Sequence, residues 1–215
     1  MINLIQIDDS GSGSLIGGTC IGAMRTETKE YVYGIIPLEF YHGDAFEKKL
    51  YLDKVVDITR SLLNTLEVSK NEKIEICRGY MFDKLRLFLK ENQYNFSSTS
   101  IKEPLQSKIE NTFEEYAISL GLPHAFLNYT KYPFHFHRLL RWVYADYDNR
   151  VSLCKTGWKS WKKYGNLPLQ LETTYIKYSR YNCLKCGNKI NNNSKVKVIK
   201  YHSNKPNIIY LHLNC

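Results

Sequence analysis

The sequence predicts an α/β fold, a mixed sheet with flanking helices, followed by a basic helical segment and a small metal-binding finger. Three observations lead there. Strand-like and helical runs alternate over residues 1–122, positive charge concentrates in residues 123–215, and three cysteines and a histidine stand at metal-ligand spacing near the C-terminus. The 215 residues are 43% hydrophobic and 24% charged, enough apolar material for an ordinary core. That balance excludes a disordered, collagen-like or coiled-coil chain. No run reaches the roughly 18 apolar residues of a membrane span, and Met1 leads directly into a strand-like segment rather than a signal peptide. A soluble, cytoplasmic protein with no membrane partner is expected.

The elements follow in order. Residues 3–7 are a short apolar run ending at Asp8-Asp9, after which Ser10-Gly11-Ser12-Gly13-Ser14 reads as a loop. Residues 18–24 and 30–38 are β-rich and separated by the turn-like residues 26–29, completing a three-strand meander. Over residues 47–66, Leu52, Val55, Val56, Leu62, Leu63 and Leu66 recur at helical spacing. Residues 73–77 are a strand, and Met81, Phe82, Leu85, Phe88 and Leu89 mark a second helix. A further strand lies near residues 96–101. Pro104 opens a third helix with Leu105, Ile109, Phe113, Tyr116, Ala117 and Leu120 on one stripe, stopped by Gly121 and Pro123. A meander followed by βα units requires a mixed sheet with helices on its faces.

The net charge of +9 is unevenly divided. Residues 1–122 hold 14 Lys and Arg against 18 Asp and Glu, whereas residues 123–215 hold 16 against Asp146, Asp148 and Glu172 alone. Solubility does not require the removal of acids, so the second block points to phosphate, with nucleic acid as the expected partner, alone or within a larger nucleoprotein assembly. The six cysteines do not suggest a disulfide framework. Cys20, Cys77 and Cys154 are isolated and read as small core residues or incidental thiols.

The run Ile7-Asp8-Asp9-Ser10-Gly11-Ser12-Gly13-Ser14-Leu15-Ile16-Gly17 resembles the type-2 ribonuclease H signature, Ile-Asp-Glu-Ala-Gly-Arg-Gly-Pro-Leu-Ala-Gly. It keeps the acidic pair, both loop glycines and the closing glycine, and the order of elements over residues 1–122 resembles the ribonuclease H-like fold. The resemblance implies a two-metal phosphodiester hydrolase acting on RNA, an RNA–DNA hybrid or another structured nucleic acid. Asp8 and Asp9 would bind Mg²⁺ or Mn²⁺, and Gly11, Ser12 and Gly13 would lie against the nucleic-acid backbone. Such chemistry needs three or four carboxylates around ions roughly 3.5–4 Å apart. Glu75 in the fourth strand and Glu103 before the third helix are the further candidates, and Glu110 and Glu114, four apart, would support them from one helix face. Each also has a bland reading as a solvated or helix-start acid.

The chain departs from the family at Ser12 for Arg, at Ser14 for Pro, and at Arg78-Gly79, where the family has Asp-Gly; Ser107-Lys108-Ile109 echoes its Ala-Lys-Val only faintly. These departures leave open a catalytically inactive module of the same fold. A glycine loop after a first-strand Asp also has a phosphate-cradling reading, as in actin-like ATPases, and a purely structural one.

Cys183-Leu184-Lys185-Cys186, then 25 residues, then His212-Leu213-Asn214-Cys215 is a C-x₂-C…H-x₂-C arrangement, the donor set of a closed tetrahedral Zn²⁺ site. Gly187 suits the tight turn of a knuckle, and His202 is the weaker alternative to His212. The spacing resembles the nick-sensing fingers of poly(ADP-ribose) polymerases and treble-clef fingers generally, which implies structural zinc beside nucleic acid. Between the two parts, residues 134–147 read as a helix with His135, His137, Arg138, Arg141 and Trp142. Lys155, Trp158, Lys159, Trp161, Lys162 and Lys163 then interleave charge with aromatic rings, as nucleic-acid backbone tracking with base stacking requires. The competing reading buries Trp158 and Trp161 and leaves their lysines in water. The organisation expected is residues 1–122, the helical segment 123–180 and the finger 181–215.

Overall fold

A computed structural model describes residues 4–127 and 132–215. Asn3, at the start of the first expected strand, lies outside them. The chain forms two compact units. The first comprises the residues through Ser12 and Gly17–Ala117, the second Gly13–Ile16 and Ile118–Cys215. Segments 123–180 and 181–215, separate in the sequence reading, thus both fall in the second unit.

The first unit is a mixed α/β layer. Strands β1 (Leu4–Ser10), β2 (Thr19–Arg25) and β3 (Tyr31–Ile36) form the meander, and β4 (Lys73–Cys77) and β5 (Phe96–Thr99) follow helices α2 (Leu50–Thr65) and α3 (Asp83–Glu91). A single helical turn, α1 (Gly43–Glu47), precedes α2, and α4 (Leu105–Ser119) closes the unit. The sheet order is β3-β2-β1-β4-β5. β2 runs antiparallel to both neighbours, and β4 runs parallel to β1 and β5.

Ile5 and Ile7 alternate with polar residues along β1 and enter the core formed with Leu52, Val55 and Leu63 of α2 and Leu85 and Leu89 of α3. This is the period-two face of a strand meeting the 3.6-residue stripe of a helix. The α4 helix is tied to the meander by two bonds. The Tyr116 hydroxyl accepts from the Gly18 N–H at 3.1 Å, and the hydroxyls of Tyr31 and Thr112 lie 2.9 Å apart.

In the second unit, α5 (His124–Leu127), α6 (Phe136–Tyr144), α7 (Tyr147–Arg150) and α8 (Lys159–Tyr164) precede a three-stranded antiparallel sheet. Its strands β6 (Gln170–Ile176), β7 (Ser194–His202) and β8 (Pro206–His212) lie in that order. Tyr144 organises the helices. Its ring stacks on Tyr147 at 5.6 Å and meets Tyr201 at 4.6 Å. Its hydroxyl donates to the Tyr164 carbonyl at 2.6 Å and accepts from the Leu167 N–H at 2.9 Å.

The segment 123–180 is therefore not wholly helical. Strand β6 lies inside it, with six of its seven residues exposed, so it carries no buried/polar alternation by which a strand is read. Its conformation comes from pairing with β7. Among the described residues, no helix is long and apolar enough to cross a membrane.

Candidate functional site

The second unit brings four ligand atoms together. Cys183 and Cys186 lie on a small hairpin in which Asn182 bridges Lys189, the Cys183 N–H donates to the Asn188 carbonyl, and the Gly187 N–H donates to the Cys183 carbonyl, both at 2.8 Å. Gly187 has φ +81°, the left-handed conformation that side chains disfavour, and a Cβ there would stand 3.3 Å from Pro123. His212 ends β8, and a turn closed by the Cys215 N–H on the His212 carbonyl, 3.2 Å, returns Cys215 to the hairpin. The Sγ atoms of Cys183, Cys186 and Cys215 and a ring nitrogen of His212 all lie within 4.8 Å of one another.

The imidazole is oriented for ligation. Nε2 lies 3.2 Å from the Lys189 carbonyl, an acceptor, so Nε2 carries the proton. Nδ1, left with its lone pair, faces Cys186 Sγ at 3.2 Å and Cys215 Sγ at 3.7 Å. Burial pushes the Cys183 thiol up, but the N–H groups of Cys186, His212 and Lys185 outweigh it and bring the thiol down to about 7. Burial and the neighbouring thiols of Cys186 and Cys183 push Cys215 up to about 11. Three soft sulfur donors and one imidazole nitrogen in such a space could hold a metal ion such as zinc. His202, exposed and paired with Pro206 at the far end of β7, stands outside the group.

A residue with no motif around it supports this hairpin. Arg150 is only 7% exposed. Its Nη1 donates to the carbonyls of Trp142 (2.7 Å) and Leu184 (2.8 Å), its Nη2 donates to that of Lys185 (2.7 Å), and the guanidinium lies 4.0 Å from the centre of the Trp142 ring. The Trp142 carbonyl belongs to the last turn of α6, which has no intrahelical donor for it. Leu184 and Lys185 are the two residues between the first pair of cysteines, and Lys185 also pairs with Asp146 at 3.0 Å. Only the Asp146/Arg150 spacing of four hints at this in the sequence. Arg150→Met keeps the stem over Trp142 but strands three carbonyls. The expected result is a 10–100-fold loss of zinc affinity by chelator competition and a loss of about 3 kcal/mol in thermal unfolding.

In the first unit, Asp8 is buried, 9% exposed, opposite Gly22 of β2. Burial raises its pKa above the usual carboxylate value; bonds from the Asp9 N–H (2.9 Å) and the Cys77 thiol work against that, and the negative charge of Glu110 on α4 adds to it. Asp9 does not join it. Strand β1 continues through Ser10, so the two acids alternate to opposite faces, and Asp9 approaches the backbone of Gly79, its Oδ1 3.7 Å from where a Cβ would stand.

Glu75 shares Asp8's face but accepts from Lys73 at 2.9 Å and Gln6 at 3.3 Å, and the Lys73 bond chiefly lowers its pKa. Glu103 is exposed, accepts from the Ser107 hydroxyl at 2.6 Å, and precedes Glu110 by seven residues, about 10 Å along a helix axis. Among the described residues, the only group of three or more His, Cys, Asp or Glu with ligand atoms this close is the Cys/His cluster.

Gly11, at φ +86°, has an internal reason to be glycine: a Cβ would stand 2.1 Å from the Phe113 ring. Ser12 is half-buried and Gly13 exposed. On the basic segment, Lys159, Lys162 and Lys163 are exposed, and Trp158 and Trp161 are half-buried. Lys155, expected beside them, is fully buried. Its N–H donates to the Leu15 carbonyl at 2.8 Å and its ammonium lies 5.3 Å from the centre of the Trp158 ring, which takes it off the solvent-facing surface. No family model and no curated protein matches the chain.

Proposed function

We propose that the protein binds nucleic acid and cuts it, as a metal-dependent nuclease of ribonuclease H-like fold whose second unit carries structural Zn²⁺. The observation that carries the nuclease reading is Asp8. A carboxylate buried at the centre of the sheet, held by few donors and repelled by Glu110, is an unfavourable anion by itself. A divalent cation relieves both costs. The β-meander, the sheet order β3-β2-β1-β4-β5 and the match at residues 7–17 support the same reading.

Asp8 and Glu110 carry the hard oxygen donors that Mg²⁺ and Mn²⁺ take; Glu110, exposed and accepting from Gln106 at 3.3 Å, is preferred to Glu75 and Glu103 because its charge is the one that acts on Asp8. Bound there, such an ion would supply Lewis-acid polarisation of the phosphodiester and activation of water. The chain's own contribution is to hold the Asp8 carboxylate oriented through the Asp9 N–H and to keep water from its buried side. The basic second unit, with Lys159, Lys162 and Lys163 exposed, would hold the substrate backbone.

A second reading, a binding module without catalysis, is favoured by one feature. Where β4 ends the chain has Cys77-Arg78-Gly79, a thiol and a cation in place of an acid. Labelled RNA–DNA hybrid, duplex RNA and single strands, incubated with Mg²⁺ or Mn²⁺ and with EDTA, decide between them. Metal-dependent cutting supports the nuclease. Salt-sensitive binding with no cutting of any substrate overturns it in favour of the binding module.

A further inference from the structure

The stacking platform expected around Trp158 and Trp161 has half-buried rings, whereas strand β6 and the loop after it expose theirs. Tyr175 is 63% and Tyr178 77% exposed. Opposed residues in a sheet project to the same face. Tyr175 is paired with Lys195 and Thr173 with Lys197, so the Tyr175 ring shares its face with two exposed lysines of β7. The Lys177 ammonium lies 5.6 Å from the centre of the Tyr178 ring. The loop carrying Tyr178 is anchored: the Ser179 N–H donates to Asn192 Oδ1 at 2.8 Å, and the Asn193 N–H donates to the Lys177 carbonyl at 3.2 Å.

Residues 165–215 contain eight Lys and Arg and one acid, Glu172, which is itself paired with Lys200 at 2.5 Å. Each of the two exposed rings has a lysine beside it, Lys195 across the strand pair from Tyr175 and Lys177 against Tyr178. A second copy or a peptide lying along the β6 edge would have to accept this excess of positive charge. A polyanion with exposed π-faces is favoured by both the rings and the charge.

We infer that Tyr175 and Tyr178, with Lys195 and Lys197, form a surface that binds single-stranded nucleic acid by stacking unpaired bases on the tyrosines and placing phosphates at the lysines. The assignment rests on the nucleic-acid reading above and specifies its single-strand surface. Duplexes, whose bases are already stacked, gain from the lysines alone.

The test is fluorescence anisotropy of the full chain with a labelled single-stranded 20-mer and with the same sequence as a duplex, across a salt series. Tyr175→Ala and Tyr178→Ala should each weaken single-strand binding about tenfold and leave duplex binding unchanged, while Tyr175→Phe should bind like wild type. Lys195→Gln should lower the salt slope by roughly one unit, for single strand and duplex alike. Both tyrosines are solvent-facing, so unchanged thermal unfolding should accompany the loss.

Wild-type affinity in the Tyr175→Ala/Tyr178→Ala double variant overturns the surface and leaves the nucleic-acid reading standing. Failure of the wild type to bind any nucleic acid at low salt removes both. A concentration-dependent dimer, abolished by Tyr175→Ala with no change in nucleic-acid affinity, would assign the strand to a second copy instead.

Discussion

Cys183→Ser is expected to release zinc and unfold the sheet that the knuckle closes. Structural zinc in small fingers contributes an apparent 10–16 kcal/mol of binding free energy, as much as the whole net stability of an ordinary domain. Here the metal would join the 182–189 hairpin to the end of β8, and the variant removes the one fully buried ligand, leaving exposed Cys186 and half-buried His212 and Cys215 as an incomplete set. The variant should contain less than a tenth of the wild-type zinc by elemental analysis. It should also lose the upper part of the thermal transition, as the wild type should with a strong chelator. His202→Ala, outside the cluster, should retain both. A Cys183→Ser protein free of zinc yet melting like wild type would show that the metal is not structural.

Asp8→Asn is expected to lower cleavage by about a thousandfold or more, the equivalent of the several kcal/mol that metal-assisted hydrolysis supplies, and at the same time to stabilise the fold at neutral pH. The sign follows from the raised carboxyl pKa. Its ordinary value is 3.8, and burial, chiefly, raises it in the folded protein. The folded state therefore holds the proton more tightly than the unfolded state. The stability this contributes is fully present below 3.8 and is lost as pH rises through the folded value.

Asparagine removes that loss, so the variant should melt above wild type at pH 7, with the gain fading as pH falls toward 3. Thermal unfolding at both pH values, beside the cleavage assay, checks it. A variant that is less stable at pH 7 and cuts normally would make Asp8 a structural residue. Saturating Mg²⁺ should stabilise the wild type more than the variant, because only the wild type has the anion to neutralise.

Local pattern made much of the first unit legible. The isoleucines of β1, the stripe of α2, the residues of β4 and the Pro104 start of α4 each carry a period or a stop signal within a few residues, and each element formed where that signal lies. The metal cluster was equally legible, since a four-residue Cys pair and a four-residue His/Cys pair are local facts even when 25 residues part them. Strand β6 was not, because nearly all its side chains meet water and pairing with β7 alone makes it a strand. Arg150 was not, because carbonyl acceptors exist at every residue and only the fold decides which of them lack donors.

What the sequence by itself determined is the α/β alternation of the first unit, the concentration of positive charge in the second, and the identity of the Cys/His donors. These are properties of residue type and spacing along one chain. What only the tertiary structure decided is which side chains meet. Asp8 and Asp9, neighbours in sequence, part to opposite faces because β1 runs on through Ser10, and Glu110 rather than Glu103 acts on Asp8 because α4 sets which of its turns lies near the strand. Lys155 leaves the basic surface for the interior while Tyr175 and Tyr178 remain outside. Burial and electrostatic coupling depend on distances across elements, and no spacing along the chain encodes them.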